Sequence, residues 1–185
     1  MLVKTFLSIE KTGNGYVFHC DNADVMLVFM TQDIVRIRVS FSREFIEKSY
    51  ALVRTAWEDR LDSLFSDERE RVDSLDVSYE ETEKTLTFST QKLKLVLNKK
   101  PFSFSLYTQE GTCIYRDLPE RAFEKDQLGR LSHYSCMDRA KDHFFGFGEK
   151  TGYLDKKGRR MRMSPKDAIG HDPENGDPMY KHIPF

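Results

Sequence analysis

Alternation of apolar and polar residues at a period of two constrains this chain more than any other feature. Across Asp33–Phe41 (DIVRIRVSF), Val35, Ile37, Val39 and Phe41 point one way and Ile34, Arg36, Arg38 and Ser40 the other. That spacing is a strand with one face in a core. Asp24–Met30 (DVMLVFM) reads as its partner, with Gln32-Asp33 as a tight link, and Tyr16–Cys20 as an earlier strand after the Gly13-Asn14-Gly15 turn. Val72–Tyr79, Lys84–Thr90, Lys92–Asn98 and Phe102–Tyr107 are further short segments rich in β-branched or aromatic residues and separated by turn signals. Leu93, Leu95 and Leu97 alternate with Lys94, the pattern of a half-buried antiparallel strand. Many short strands at this spacing predict an antiparallel sandwich or barrel. One segment breaks the rhythm: Trp57, Leu61, Leu64 and Phe65 fall at helical spacing within Ala56–Arg71, which predicts a short helical insertion with Trp57 as a packing anchor.

A chain of 185 residues suits one domain, with room for a second small one, and needs neither disulfide nor metal to hold a core. Cys20, Cys113 and Cys136 are an odd, widely spaced set, which fits a reducing compartment. The opening MLVKTFLSIEKTG lacks the apolar stretch of a signal peptide, and no run of eighteen apolar residues occurs. The expectation is a cytoplasmic protein with no membrane span. A net charge of -1 argues against a global field that draws nucleic acid or anionic lipid. Acidic residues dominate Glu58–Glu83 and basic ones Arg139–Lys166. Without a nucleic-acid motif, these read as solvated faces of opposite sign rather than a nucleic-acid interface.

The last third changes character. Phe144–Glu149 (FFGFGE) predicts a strand in which Gly146 and Gly148 permit a bulge or a close backbone approach. Lys156-Lys157-Gly158 predicts a hairpin turn between Thr151–Asp155 and Arg159–Met163. From Ser164 to Asp177 periodicity stops among two prolines and two glycines, giving a loop of a length that is usually either functional or disordered.

No P-loop, dinucleotide fingerprint or nucleophile elbow is present. His133 and Cys136 have the spacing of a metal half-site with His143 nearby, but no second close pair completes it, so no metal is expected. A retaining glycosidase needs two carboxyl groups about 5 Å apart across the scissile bond, and nothing local identifies such a pair. Composition and spacing alone stop at a mostly β domain with a charged, glycine-rich loop towards its end.

The stretch Phe144–Phe185 resembles the end of the N-terminal domain in family 31 glycoside hydrolases, particularly bacterial α-glucosidases. The aromatic-Gly-x-Gly-Glu strand of that family is matched by Phe145, Gly146, Gly148 and Glu149. Its Lys-x-Gly-x-x-Leu-Asp-Lys segment is matched by Lys150, Gly152, Leu154, Asp155 and Lys156. The closing Asp-Pro-Leu-Tyr-Lys-x-Ile-Pro-Phe motif is matched by Asp177, Pro178, Tyr180, Lys181, Ile183, Pro184 and Phe185, with Met179 in place of Leu. The likeness extends more loosely over residues 33–41, 49–72 and 101–117. One departure stands out: Ser164-Pro165-Lys166-Asp167 replaces the Trp-Asn-x-Asp of many relatives, keeping the Asp and losing the Trp.

This resemblance implies a β-sandwich of the galactose mutarotase-like superfold over residues 1–185, truncated at its C-terminal end. It implies packing against the protein's own C-terminal (β/α)8 barrel. That barrel, outside this chain, supplies an Asp nucleophile and an Asp acid/base for retaining hydrolysis of α-linked glucosides such as malto-oligosaccharides, without cofactor. No catalytic residue is then expected within the chain, which is inactive alone. The resemblance also implies a loop that reaches over the barrel mouth and an Asp on it that contacts sugar hydroxyls; the matching position is Asp167, with Lys166 and His171 as weaker neighbours. The other reading of Asp167 is a residue that only caps or turns the loop. The rival for the whole chain is a free-standing carbohydrate-binding sandwich without hydrolase activity.

Overall fold

The computed structural model describes residues 1–13, 15–45, 75–177 and 179–183. Two compact units divide the chain, Met1–Cys136 and Met137–Phe185. The helical insertion expected at Ala56–Arg71, with Trp57, lies outside the described residues.

The first unit is the predicted antiparallel sandwich. One sheet is a four-stranded meander of β1 (Phe6–Thr12), β2 (Gly15–Cys20), β3 (Asp24–Phe29) and β4 (Val35–Ser40). The second is a five-stranded meander of β5 (Ser78–Glu81), β6 (Thr85–Ser89), β7 (Leu93–Lys99), β8 (Phe102–Thr108) and β9 (Cys113–Arg116). A 3-10 turn at Pro119–Arg121 leads to the small hairpin of β10 (Phe123–Lys125) and β11 (Leu131–His133). The alternation explains the layering, because each strand sends every second side chain into one core. Tyr16, Phe18, Val25, Leu27 and Phe29 come from the first sheet, and Leu86, Phe88, Leu95, Leu97, Phe102 and Phe104 from the second. Val35, Ile37 and Val39 pack against that core, as their spacing requires. Gly15 marks a close approach of two strands: a Cβ there would lie 2.1 Å from the Leu27 carbonyl oxygen, which belongs to backbone and cannot step aside.

The structure corrects several expectations. The link between β3 and β4 takes in Thr31 as well as Gln32 and Asp33, because the Met30 N–H donates to the Ile34 carbonyl at 2.9 Å. Of the strand expected over Val72–Tyr79, residues 72–74 lie outside the described residues; residues 75–77 are not strand, and β5 begins at Ser78. Leu75 and Val77 still pack on the core, but the ladder with β6 begins at the Ser78–Ser89 pair. In the second unit neither Phe144–Glu149 nor the segments flanking Lys156–Gly158 form strands. Gly146, Phe147 and Gly148 have φ of 88°, 71° and 84°, and three successive left-handed residues cannot hold a pleat. The turn at Lys156–Gly158 does form, with the Arg159 N–H on the Lys156 carbonyl at 3.0 Å, but its arms part instead of pairing. No described helix is long and apolar enough to cross a membrane.

Candidate functional site: the loop assembly of the second unit

The second unit has no repeating ladder, so individual polar contacts set its shape. Gly148 forms an isolated bridge with His182, the Glu149 N–H donates to the Lys181 carbonyl at 2.9 Å, and the Lys181 N–H returns to Glu149 Oε2 at 3.1 Å. A Cβ on Gly148 would lie 2.6 Å from the Lys181 carbonyl oxygen. The close backbone approach read from the glycines is therefore present, although the strand is not.

Two lysines organise the next layer. The Lys150 ammonium lies 2.5 Å from Asp177 Oδ1 and donates to the Arg162 carbonyl, while the Arg162 N–H donates to Asp177 Oδ2 at 2.6 Å. Lys150 is 1% and Asp177 12% exposed at the side chain. Burial opposes ionisation of Asp177, but the Lys150 ammonium and the Arg162 N–H outweigh it and hold the carboxyl below its ordinary value. Lys156 is buried too, and its ammonium is wrapped by the carbonyls of Thr151 at 2.9 Å and Tyr153 at 2.5 Å. The residues matching the Lys-x-Gly segment and the closing Asp-Pro motif thus form one bonded frame around the 164–177 loop.

Asp167 sits on that loop with its carboxylate exposed. Tyr180 Oη donates to Asp167 Oδ1 at 2.9 Å, and this bond raises the tyrosine's pKa. The Lys166 N–H donates to the Met179 carbonyl at 3.1 Å, so the loop is pinned to the closing motif on both sides of the Lys166–Asp167 peptide. Among the described residues Oδ2 of Asp167 has no partner and remains an open acceptor. His171 lies apart in the turn that follows, its N–H on the Ala168 carbonyl at 3.3 Å. The Tyr180 contact was not anticipated from the sequence. Its signal was the tyrosine of the closing motif, which no periodicity would single out.

The residues considered for a metal half-site are used otherwise. In the first unit His133 Nε2 faces Asp117 Oδ1 at 2.8 Å and Cys136 Sγ donates to the Asp117 carbonyl at 3.4 Å. In the second, His143 Nδ1 lies 2.7 Å from Asp155 Oδ2. No three described His, Cys, Asp or Glu side chains converge to hold a metal ion.

Asp155 provides a pH test of this assembly. The His143 hydrogen bond, then the N–H groups of Phe144 and Lys157, hold its carboxyl down at about 2. A folded pKa below the unfolded one gives stability that is complete above roughly pH 4 and lost as pH falls towards 2. Carboxyl chemical shifts followed by NMR should show Asp155 titrating at about 2, and His143→Ala should move that midpoint upward. A midpoint indifferent to the substitution would refute this account of the turn.

Comparison with known proteins now adds identity to geometry. Residues 24–185 match the sequence profile of the family described as glycosyl hydrolase 31 N-terminal galactose mutarotase-like domain. Alpha-glucosidase 2 of Bacillus thermoamyloliquefaciens is 35% identical over 180 residues, covering 96% of this chain and 20% of that protein. An isomaltosyltransferase of Sporosarcina globispora is 26% identical over 113 residues, covering 57% of this chain and 10% of that protein. The GH31 dextranase of Flavobacterium johnsoniae, solved with isomaltotriose, superposes with a TM-score of 0.80 at 25% identity, covering all of this chain and 21% of the dextranase. The chain therefore spans about a fifth of the length of the alpha-glucosidase and dextranase it matches. With the sandwich in place and the profile running through its strands into the closing motif, the chain belongs to the N-terminal, galactose mutarotase-like domains of glycoside hydrolase family 31.

Proposed function

We propose that this chain is the substrate-pocket-shaping domain of a cytoplasmic retaining α-glucosidase that removes terminal α-linked glucose from oligosaccharides. The observation that carries the reading is the 35% identity to an alpha-glucosidase over nearly the whole chain. The nucleophile and the acid/base belong in this reading to a downstream (β/α)8 barrel, and Asp167 supplies a specificity contact at the barrel mouth. One oxygen of that carboxylate is held by Tyr180 and the other is open, which suits it to accept a sugar hydroxyl without rearranging. Tyr153, Leu154 and Ile169 are at least 78% exposed in the second unit, as apolar side chains are when a further domain packs over them. The likeness to a dextranase solved with isomaltotriose favours a second reading, in which the scissile bond is that of an isomaltose unit.

Turnover of maltose and of isomaltose by the longer enzyme tests both readings, with the 185-residue chain as control. The chain alone should release no glucose, since a retaining mechanism needs two carboxyl groups about 5 Å apart in an enclosed pocket. In the longer enzyme Asp167→Ala should lower kcat/KM by roughly tenfold, the effect of one or two lost hydrogen bonds to substrate, with the melting temperature preserved. Unchanged kinetics would remove Asp167 from the pocket. Faster turnover of isomaltose than of maltose would select the second reading.

A further inference from the structure

The 164–177 loop closes through a turn at Asp172–Asp177 in which Asn175 is directly followed by Gly176. That turn requires glycine. A Cβ on Gly176 would lie 2.6 Å from the Asp172 carbonyl oxygen, which belongs to backbone and cannot step aside. Asn175 beside it is exposed. The missing Cβ also leaves the Gly176 nitrogen unshielded from the Asn175 side-chain carbonyl. The fold thus imposes the pairing in which a main chain most readily attacks its own side chain.

The reaction needs only the chain and water. The Gly176 nitrogen loses its proton and bonds to Asn175 Cγ; the Cγ–Nδ2 bond breaks, and Nδ2 leaves as ammonia carrying that proton. Water then opens the resulting succinimide at either carbonyl, giving aspartate or isoaspartate. The closed turn opposes the first step. The Gly176 N–H donates to the Asp172 carbonyl at 2.7 Å and the Gly176 carbonyl accepts from Thr151 Oγ1, so the peptide that must turn is gripped on both edges. Asn175 Nδ2 donates to Asp172 Oδ2 at 3.1 Å, which ties down the side chain under attack. Asp172 Oδ1 accepts from the Glu174 N–H at 2.8 Å; this bond first, and then the Asn175 amide, hold the Asp172 carboxyl below its ordinary value.

We infer that Asn175 is a self-modification site, whose deamidation Asp172 holds back while the turn is closed and which converts when the turn opens. Conversion acts on the frame around Asp167. A carboxylate in place of the Asn175 amide sets a like charge against Asp172 Oδ2, where a donor stood. Isoaspartate also adds an extra main-chain carbon between residues 175 and 176, which draws Gly176 away from Thr151 and Asp177 away from Lys150. Modification therefore loosens the 164–177 loop, whatever sugar the longer enzyme takes.

Peptide mass mapping of the 185-residue chain aged in mildly alkaline buffer tests this, with the other Asn-Gly pair, Asn14-Gly15, resolved on a separate peptide. Asn175 should convert at least about tenfold faster in concentrated guanidinium chloride than in the folded chain, because only the open turn reacts. Asp172→Asn keeps an oxygen for the Glu174 N–H and sets an amide against the Asn175 amide. The new side chain cannot itself cyclise, because Pro173 has no N–H. Conversion of Asn175 in that folded variant should be about fivefold faster than in the parent, the effect of one lost hydrogen bond. Asn175→Asp, which carries the charge of the product, should lower amide protection factors across the 164–177 loop about fivefold relative to Asn175→Gln, which keeps an amide. An Asn175 that stays intact in guanidinium chloride, or converts as fast when folded, would overturn the site. So would conversion no faster in Asp172→Asn, which would mean that the carboxylate does not restrain the amide, or equal protection in the two Asn175 variants.

Discussion

Phe18→Ala should destabilise the sandwich by about 3–5 kcal/mol, the range for emptying a buried aromatic site. Phe18 is wholly buried on β2, and its ring meets those of Phe88 at 5.8 Å, Phe104 at 6.0 Å and Phe102 at 6.4 Å across the interface, and that of Phe6 at 6.4 Å within its own sheet. The loss therefore has two parts. The transferred ring area goes, and so do contacts that join β2 to both β6 and β8, so no single neighbour can move in to close the cavity. Leu7→Ala on the adjacent β1 is the control, since Leu7 is 62% exposed and should cost no more than about 0.5 kcal/mol. Urea unfolding followed by tryptophan-independent circular dichroism gives both values from the same strand signal. A Phe18→Ala loss as small as that of Leu7→Ala would mean the two sheets are not held together by this aromatic cluster.

The same burial pattern explains what could be read in advance. Strands β6, β7 and β8 were legible because Leu86, Phe88, Leu95, Leu97, Phe102 and Phe104 fall on every second position and all reach the core. Strand β1 escaped because its burial follows no period of two: only Phe6 and Ile9 pack on the core, Leu7 is exposed, and the register shifts between Phe6 and Ser8. Strand β9 is short and mostly exposed, and β10 and β11 are three residues each, too brief for alternation to register. The aromatic-glycine run at 144–149 misled for a different reason. Its composition suits a strand, but Phe144 and Phe145 are largely exposed and the left-handed residues that follow serve a loop crossing at Lys181 and His182.

The candidate loop was legible as a loop and no further. Its two prolines and two glycines exclude a helix or strand, yet what holds it lies up to 27 residues away along the chain, as Lys150 does from Asp177. Pairings of that range leave no periodic trace. Only the ordered motifs of the last quarter linked Lys150 to Asp177 and Asp167 to Tyr180, and they did so as parts of one family pattern, without saying which side chains touch.

Because Lys150 and Asp177 join the two ends of that frame, Lys150→Met should loosen the 164–177 loop by about 3–5 kcal/mol, the cost of leaving one charge of a buried pair unmatched. Methionine preserves most of the volume, so the effect is electrostatic rather than steric. Its sign with pH separates the two causes. In the parent the pair holds the Asp177 carboxyl below its ordinary value, and the stability it contributes is complete above about pH 4 and lost as pH falls further. In the variant the burial of Asp177 is no longer opposed by the ammonium, so its carboxyl rises and protonation favours the folded loop. Lowering the pH from 7 towards 5 should then raise the protection factors across the loop, with exchange corrected for its intrinsic pH dependence, in Lys150→Met while leaving those of the parent unchanged. Adding Asp177→Asn should recover much of the loss at pH 7, because the amide oxygen still accepts from the Arg162 N–H and no charge is left buried. If the single variant loosens the loop equally at both pH values and the double variant recovers nothing, Lys150 acts through its packing, and the frame around Asp167 is held by the backbone contacts of Glu149, Lys166 and Ile183 instead.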